Sequence, residues 1–217
     1  ETVYGLAGNA YSNEATSKIF KLKKRPKKNP LIVHYYNLNK LKKDCILNNN
    51  FFKLYKKFSP GPITYILKLK NNNKISKNVT NKKKTLAVRF PKNSITRKLL
   101  REIEYPLAAP SANISTKISP VCAEDVKDEF GKKIKFILNG GRSKIGLEST
   151  IVSLVNKPQI LRLGGTKISS INKILKINIK FYKKTKKIIV PGQGKVHYSP
   201  GIPIRLNASK PKQDEAF

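Results

Sequence analysis

The sequence predicts an α/β fold, on three observations. Apolar residues come in short bursts, among them Leu31 to Val33, Ile63 to Leu69 and Ile151 to Val155, divided by Pro, Gly, Asn and Lys. Stretches with helical spacing and clear start or stop signals alternate with those bursts. The 217 residues and 39% apolar content suffice for one large domain, or one domain with part of a second.

The elements follow in chain order. Ser12 or Asn13 can cap a helix carrying Ala15, Ile19, Phe20 and Leu22, which Pro26 stops. Leu31 to Tyr35 reads as a strand. Phe51 to Phe58 has helical spacing, and Pro60-Gly61-Pro62 breaks it ahead of a strand from Ile63 to Leu69. Leu86 to Phe90 is a further strand, and Ser94 opens a helix through Leu99, Leu100 and Ile103. Leu107 to Ala109 reads as a short buried strand. Ser119-Pro120 reads as a helix start with proline at the first position, and Gly131 as its stop. Ile134 to Leu138, Ser149 to Leu154 and Gln159 to Leu163 read as strands, and Ile168 to Leu175 as a helix. The chain thus divides into an α/β domain over 1–182, a Gly- and Pro-bearing linker over 183–201 and the start of another unit over 202–217. No burst approaches the roughly 20 apolar residues of a membrane span.

The chain has no methionine and opens on a strand-and-turn signature, so Glu1 is not expected to be a natural start. The two cysteines, Cys45 and Cys122, sit far apart with no partner motif, which fits a reduced, cytoplasmic setting. The two histidines, His34 and His197, form no cluster with them, so no structural zinc site is expected. Net charge is +34, from 46 basic and 12 acidic residues. That excess fits a polyanion partner such as RNA. It also fits compositional bias, because lysine far outnumbers arginine and Asn and Ile are plentiful.

Four segments carry more glycine, serine and basic character than packing requires. Glu1 to Leu6 places the Thr2 hydroxyl at a strand-to-loop junction, and Gly5 permits close backbone approach. Lys23-Lys24-Arg25-Pro26, then Asn29-Pro30 and a strand ending near His34, make a stiff cationic loop suited to triphosphate oxygens. Lys23 and Arg25 would equally complement a helix C-terminus. Thr85 to Pro91 puts Arg89 after an apolar strand, where burial without an anion is costly. Leu107 to Asn113, followed by Ser119-Pro120, combines small residues with Ser111, Asn113 and Ser119 at a strand end and a helix start, the latter a natural anion site. A capped turn would account for it as well.

Taken in order, ETVYGL, KxRPxxNPLIVH, SPGPIT, AVRFP, PLAAPSANxS, SP and GLEST span about 165 residues. This pattern resembles the YrdC-like domain of threonylcarbamoyl-AMP synthases. His197-Tyr198-Ser199-Pro200 resembles the linker of the long, two-domain form, and a proline-threonine pair normally precedes the position of Glu1. The sequence departs from the pattern at Lys24 and Thr116, where glycine is usual, at Ser59, where tryptophan is common, and at Asn139, in place of an aspartate.

The resemblance implies a twisted, open mixed sheet with a basic concave cavity. It implies condensation of L-threonine, bicarbonate and ATP into threonylcarbamoyl-AMP with release of pyrophosphate, for tRNA modification by separate transferase proteins. On matching positions, Thr2, His34, Arg89, Ala109 and Ser149 would hold threonine, and Lys23, Arg25, Asn29, Thr85, Ser111, Ser119, Arg162 and Tyr198 would hold ATP. Magnesium would accompany ATP through phosphate oxygens and water, with Glu148 a further candidate beside it. No acid–base or nucleophilic residue is implied. Two other readings share the fold. One is a non-catalytic RNA-binding module. The other is the carbamoyltransfer domain of hydrogenase maturation proteins, whose zinc-finger-like and acylphosphatase modules leave no trace here.

Overall fold

A computed structural model describes residues 1–179, 205 and 207–215. The expected linker and Tyr198 lie outside the described residues. In chain order the elements are β1 (Gly8–Asn9), α1 (Asn13–Leu22), β2 (Ile32–His34), α2 (Leu38–Asp44), β3 (Cys45–Ile46), α3 (Asn49–Phe58), β4 (Ile63–Leu69) and α4 (Lys77–Thr80). There follow β5 (Thr85–Arg89), α5 (Ser94–Glu102), β6 (Leu107–Ala108), α6 (Ala123–Phe130), a single 3₁₀ turn (Gly131–Lys133), β7 (Thr150–Ser153), β8 (Gln159–Arg162) and α7 (Ile168–Leu175). The strands form one mixed sheet in the order β1-β6-β2-β5-β4-β7-β8, with β3 paired to β4.

The helices begin where short polar side chains can satisfy free backbone N–H groups. Ser12, Asn37, Asn48, Ser76 and Asn93 cap five of them in this way. Strand residues alternate between two faces. One face carries Leu31, Val33, Tyr65, Leu67, Leu86, Val88, Val152 and Ile160 into the main core, against Ile19, Phe20, Phe51, Leu54, Ile171 and Leu175 of the helices. Phe51 meets Tyr65 edge-on at 5.1 Å, and Tyr55 meets Phe90 at 4.8 Å. The other face holds a much smaller apolar group: Ile32, Ile66, Ala87, Ile151 and Leu161. The polar residues of the candidate site border that second group.

Two expected elements differ. Ile134 to Leu138 forms no strand. Ile134 and Ile137, three apart, pack against the core, while Phe136 stands 88% exposed. The helix expected from Ser119-Pro120 starts instead at Ala123, capped at Cys122, where the Asp125 carboxylate accepts the N–H of both Val121 and Cys122. Ser119 is therefore not at a helix N-terminus. Among the described residues no helix is long and apolar enough to cross a membrane.

Candidate functional site

The first six residues run between two loops and bind both. Leu6 N–H donates to Pro110 O and Tyr4 N–H to Pro120 O, each at 2.9 Å, and Ala112 N–H donates back to Tyr4 O at 2.8 Å. On the other side Ile145 N–H donates to Glu1 O at 2.9 Å and Gly146 N–H to Thr2 O at 3.1 Å. A Cβ on Gly5 would lie 3.3 Å from both the Ala109 methyl and Pro110 O, so this close approach needs a glycine or a shift of the neighbouring chain. The packing delivers Thr2 and Ala109 to the end of β5 and β2.

Arg89 is the centre of that end. It is only 7% exposed, yet its guanidinium is well held. Nη1 donates to Thr2 Oγ1 at 2.7 Å, Nε to Gly61 O at 3.2 Å, and Nη2 to Glu1 Oε1. The other Glu1 oxygen accepts Lys92 N–H at 3.1 Å and Asn93 N–H at 3.4 Å, at the start of α5. Three of the five guanidinium N–H groups are thereby used, and two remain for an anion. His34 lies beside Arg89 in register. Burial, reinforced by the Arg89 charge, pushes its imidazole down to about 3, so it is neutral at physiological pH. Its Nδ1 is buried without a hydrogen-bond partner. Thr64, opposite Arg89 on β4, shares a 2.7 Å hydrogen bond with the Ser149 hydroxyl.

A second cationic group adjoins the first. Lys23 is 1% exposed, and its ammonium donates to Ser111 O at 2.5 Å, to Asn113 O, and to Asn113 Oδ1 at 3.4 Å. Burial and the Arg25 charge push it down to about 7, against the opposing pull of Glu129 and Glu148. Arg25 donates to Asn29 O at 3.1 Å and Pro30 O at 3.0 Å, which folds the cationic loop onto itself. Burial and then Arg162 push Arg25 down to about 10, which places the two guanidinium groups near one another. Arg162 in turn donates through Nε and Nη2 to Ser149 O at 3.1 and 2.9 Å, and through Nη2 to Ser149 Oγ at 3.2 Å. Ser119 donates to Glu148 Oε1 at 2.6 Å. Ser149 thus links the cations to the Arg89 end.

Thr85 sits at the opposite end of β5, on the same face as Ala87 and Arg89. There it lines a small cavity with Pro30, Leu31, Thr80, Lys83 and Ala87. The neighbouring Asn29 has its Oδ1 buried without a partner. Buried polar atoms normally find hydrogen bonds, and Asn29 Oδ1 and His34 Nδ1 are the two buried side-chain atoms without a partner among the described residues. Among the described residues no three His, Cys, Asp or Glu side chains cluster as metal ligands. A dedicated magnesium cage is therefore not supplied by them, and Glu148 is engaged with Ser119.

Two participants escaped the sequence reading: Glu1, which accepts from Arg89, and Thr64, which pairs with Ser149. Asn113, singled out with the small-residue segment, accepts from Lys23 through both its carbonyl and its side chain.

The Sua5/YciO/YrdC family, described as "Telomere recombination", matches residues 1–164. The chain is 38% identical over 212 residues to the threonylcarbamoyl-AMP synthase of Pyrococcus abyssi, covering 94% of this chain and 61% of that protein. It is 37% identical over 218 residues to the threonylcarbamoyl-AMP synthase of Bacillus subtilis, covering 98% and 63%. The crystal structure of P. abyssi Sua5 complexed with L-threonine superposes with a TM-score of 0.87 at 37% identity, over 92% of this chain and 60% of that one. The chain therefore spans about three fifths of the length of these relatives.

Proposed function

The chain belongs to the Sua5/YciO/YrdC family, and on that premise we propose that it carries the synthase site of a threonylcarbamoyl-AMP synthase. The reaction would join L-threonine, bicarbonate and ATP and release pyrophosphate. The observation that carries this reading is the link through Ser149, which connects a carboxylate-sized arginine site at Arg89 to the cationic group of Lys23, Arg25 and Arg162.

The following division of labour is part of this proposal. The two free N–H groups of Arg89 would take the threonine carboxylate in two-point fashion. Thr2, Ala109 and neutral His34 would bound the rest of the amino acid. His34 adds no charge there, so its unpartnered Nδ1 serves hydrogen bonding alone. Lys23, Arg25 and Arg162, with Ser111 and Ser119, would face the phosphates. Asn29 and Thr85 would meet the nucleoside at the far end of the face. Tyr198, also expected to hold ATP, lies outside the described residues.

In this arrangement the neutral threonine amine would condense with bicarbonate to the carbamate with loss of water, and the new carboxylate would attack the α-phosphorus and release pyrophosphate. Nucleophile and electrophile are both anions. Charge neutralisation and alignment are therefore what the residues contribute. Magnesium would arrive as part of the MgATP substrate, held by phosphate oxygens and water. The product would pass to transferase proteins that modify tRNA, in the cytoplasm.

A non-catalytic RNA-binding module would use the +34 charge. It would leave the orphaned His34 and Asn29 atoms without purpose. The deciding experiment incubates the purified chain with ATP, bicarbonate and threonine and measures pyrophosphate release. Release that requires both threonine and bicarbonate, with serine a poor substitute, supports the synthase. A folded sample that releases none and binds RNA tightly supports the module.

A further inference from the structure

We propose that Thr64 is a positioning residue that commits the Ser149 hydroxyl to donate toward bound threonine. The inference deepens the reading above and rests on it. Thr64 is fully buried and Ser149 is 1% exposed, and their hydroxyl oxygens lie 2.7 Å apart. Ser149 Oγ also accepts from Arg162 Nη2 at 3.2 Å.

A hydroxyl has one hydrogen and two acceptor lone pairs. Arg162 cannot accept, so it fills one lone pair on Ser149. Between Thr64 and Ser149 there are two hydroxyl hydrogens and one shared bond, so one hydrogen is left over. If Ser149 donates to Thr64, the spare hydrogen belongs to Thr64, which has no other hydrogen-bond partner among the described residues. If Thr64 donates to Ser149, both Ser149 lone pairs are filled and the spare hydrogen is on Ser149. Only the second arrangement lets a ligand pair every group, given the assignment of Ser149 to the threonine side of the site. Substrate binding selects it, since an unpaired buried donor is costly. Ser149 then recognises an acceptor, the strongest being an anionic oxygen of threonine or its carbamate, and cannot accept from the amine.

Thr64 would hardly be chosen from sequence, where a threonine in an apolar strand is unremarkable. Its hydroxyl reaches the substrate only through Ser149, so the effect of losing it should vanish when Ser149 is gone.

The test is calorimetric titration of L-threonine into the chain and into Thr64→Val, Thr64→Ser, Ser149→Ala and the Thr64→Val/Ser149→Ala pair, each checked for folding by its melting curve. Thr64→Val and Ser149→Ala should each weaken threonine binding roughly tenfold. The pair should be no weaker than Ser149→Ala, and Thr64→Ser should restore most of the affinity. If Thr64→Val does not fold, Thr64→Ala carries the same expectation. Unchanged affinity in Thr64→Val, additive losses in the pair, or failure of Thr64→Ser to rescue would each overturn the inference while leaving the synthase reading intact. An unmodified chain that binds no threonine overturns both.

Discussion

His34 and Arg89 are register partners on the adjacent parallel strands β2 and β5, a neutral imidazole beside a buried guanidinium. Neither could be placed there cheaply without the other elements of the site. Arg89 has Thr2, Gly61 and Glu1 to receive three of its N–H groups. An Arg89→Ala variant should raise the threonine KM strongly and lower turnover. Arg89→Lys should recover little of either, since an ammonium cannot replace the two-point fork. Steady-state pyrophosphate release against threonine concentration checks both, and normal threonine dependence in Arg89→Ala would remove Arg89 from the carboxylate site.

The His34 imidazole also makes a prediction about acid. Its pKa is about 3 in the fold and near 6.5 when unfolded, so between those values the unfolded chain binds more protons. Stability is fully present above the unfolded value and falls as pH drops through that window. His34 should contribute up to about 1.4 kcal/mol per pH unit there. Urea unfolding of wild type and His34→Gln at several pH values between 3.5 and 6.5 should give a shallower acid slope for the variant.

Lys23 works in the neighbouring range. Its ammonium, pushed down to about 7, is largely neutral at pH 8 in the free protein. Triphosphate bound beside it favours the charged form, so nucleotide binding at pH 8 should take up close to one proton. Calorimetric titration of ATP in two buffers of different ionisation enthalpy measures that uptake, and Lys23→Arg should abolish it.

Two departures from the family pattern carry a backbone cost. Lys24 has φ of 49° and Thr116 a φ of 84°, at positions where the resembled family has glycine. Left-handed backbone costs an L-residue roughly 1–2 kcal/mol, and a β-branched threonine suffers most. Lys24→Gly and Thr116→Gly should therefore each stabilise the chain, Thr116→Gly by about 1 kcal/mol after the added freedom of the unfolded glycine is offset. Chemical denaturation midpoints decide it. A lower midpoint for Thr116→Gly would show that contacts of the threonine outweigh the strain.

Gly164 is the reverse case. A Cβ there would sit 2.3 Å from Glu148 O and 2.4 Å from the Ser149 carbonyl carbon, both backbone atoms that cannot turn aside. Gly164→Ala should destabilise by about 1–3 kcal/mol and weaken threonine binding, because the displaced backbone carries Ser149. Stability and titration measured on the same sample test the two effects together.

Sequence legibility followed how much each element relies on its own pattern. The strand Ile63–Leu69 and the helix Ile168–Leu175 have the expected bounds, since apolar period and flanking breakers agree. Helix Leu38–Asp44 was missed. Only Leu38 and Leu41 are apolar in it, and it is fixed by the Asn37 cap and by Leu41 entering the core. Ile134 to Leu138 differs because a short, nearly continuous apolar run does not by itself distinguish a strand from an irregular segment that tucks Ile134 and Ile137 against the core. At the candidate site, the residues singled out from sequence lie next to glycine, proline or a strand end. Thr64 carries no such signal, because its hydroxyl contact is with Ser149, 85 positions along the chain.

The threading of the first six residues between distant loops has a consequence for synthesis. Thr2 is gripped by Arg89 and by Gly146, and its neighbours by Pro110 and Pro120. None of these partners exists when Thr2 leaves the ribosome. At about 5–20 residues per second, Gly146 follows Thr2 by roughly 7 to 30 seconds. Until then the segment bearing Glu1 and Thr2 can meet Arg89, Pro110 and Pro120 but not Gly146, so its full set of backbone partners assembles only after about two thirds of the chain is made.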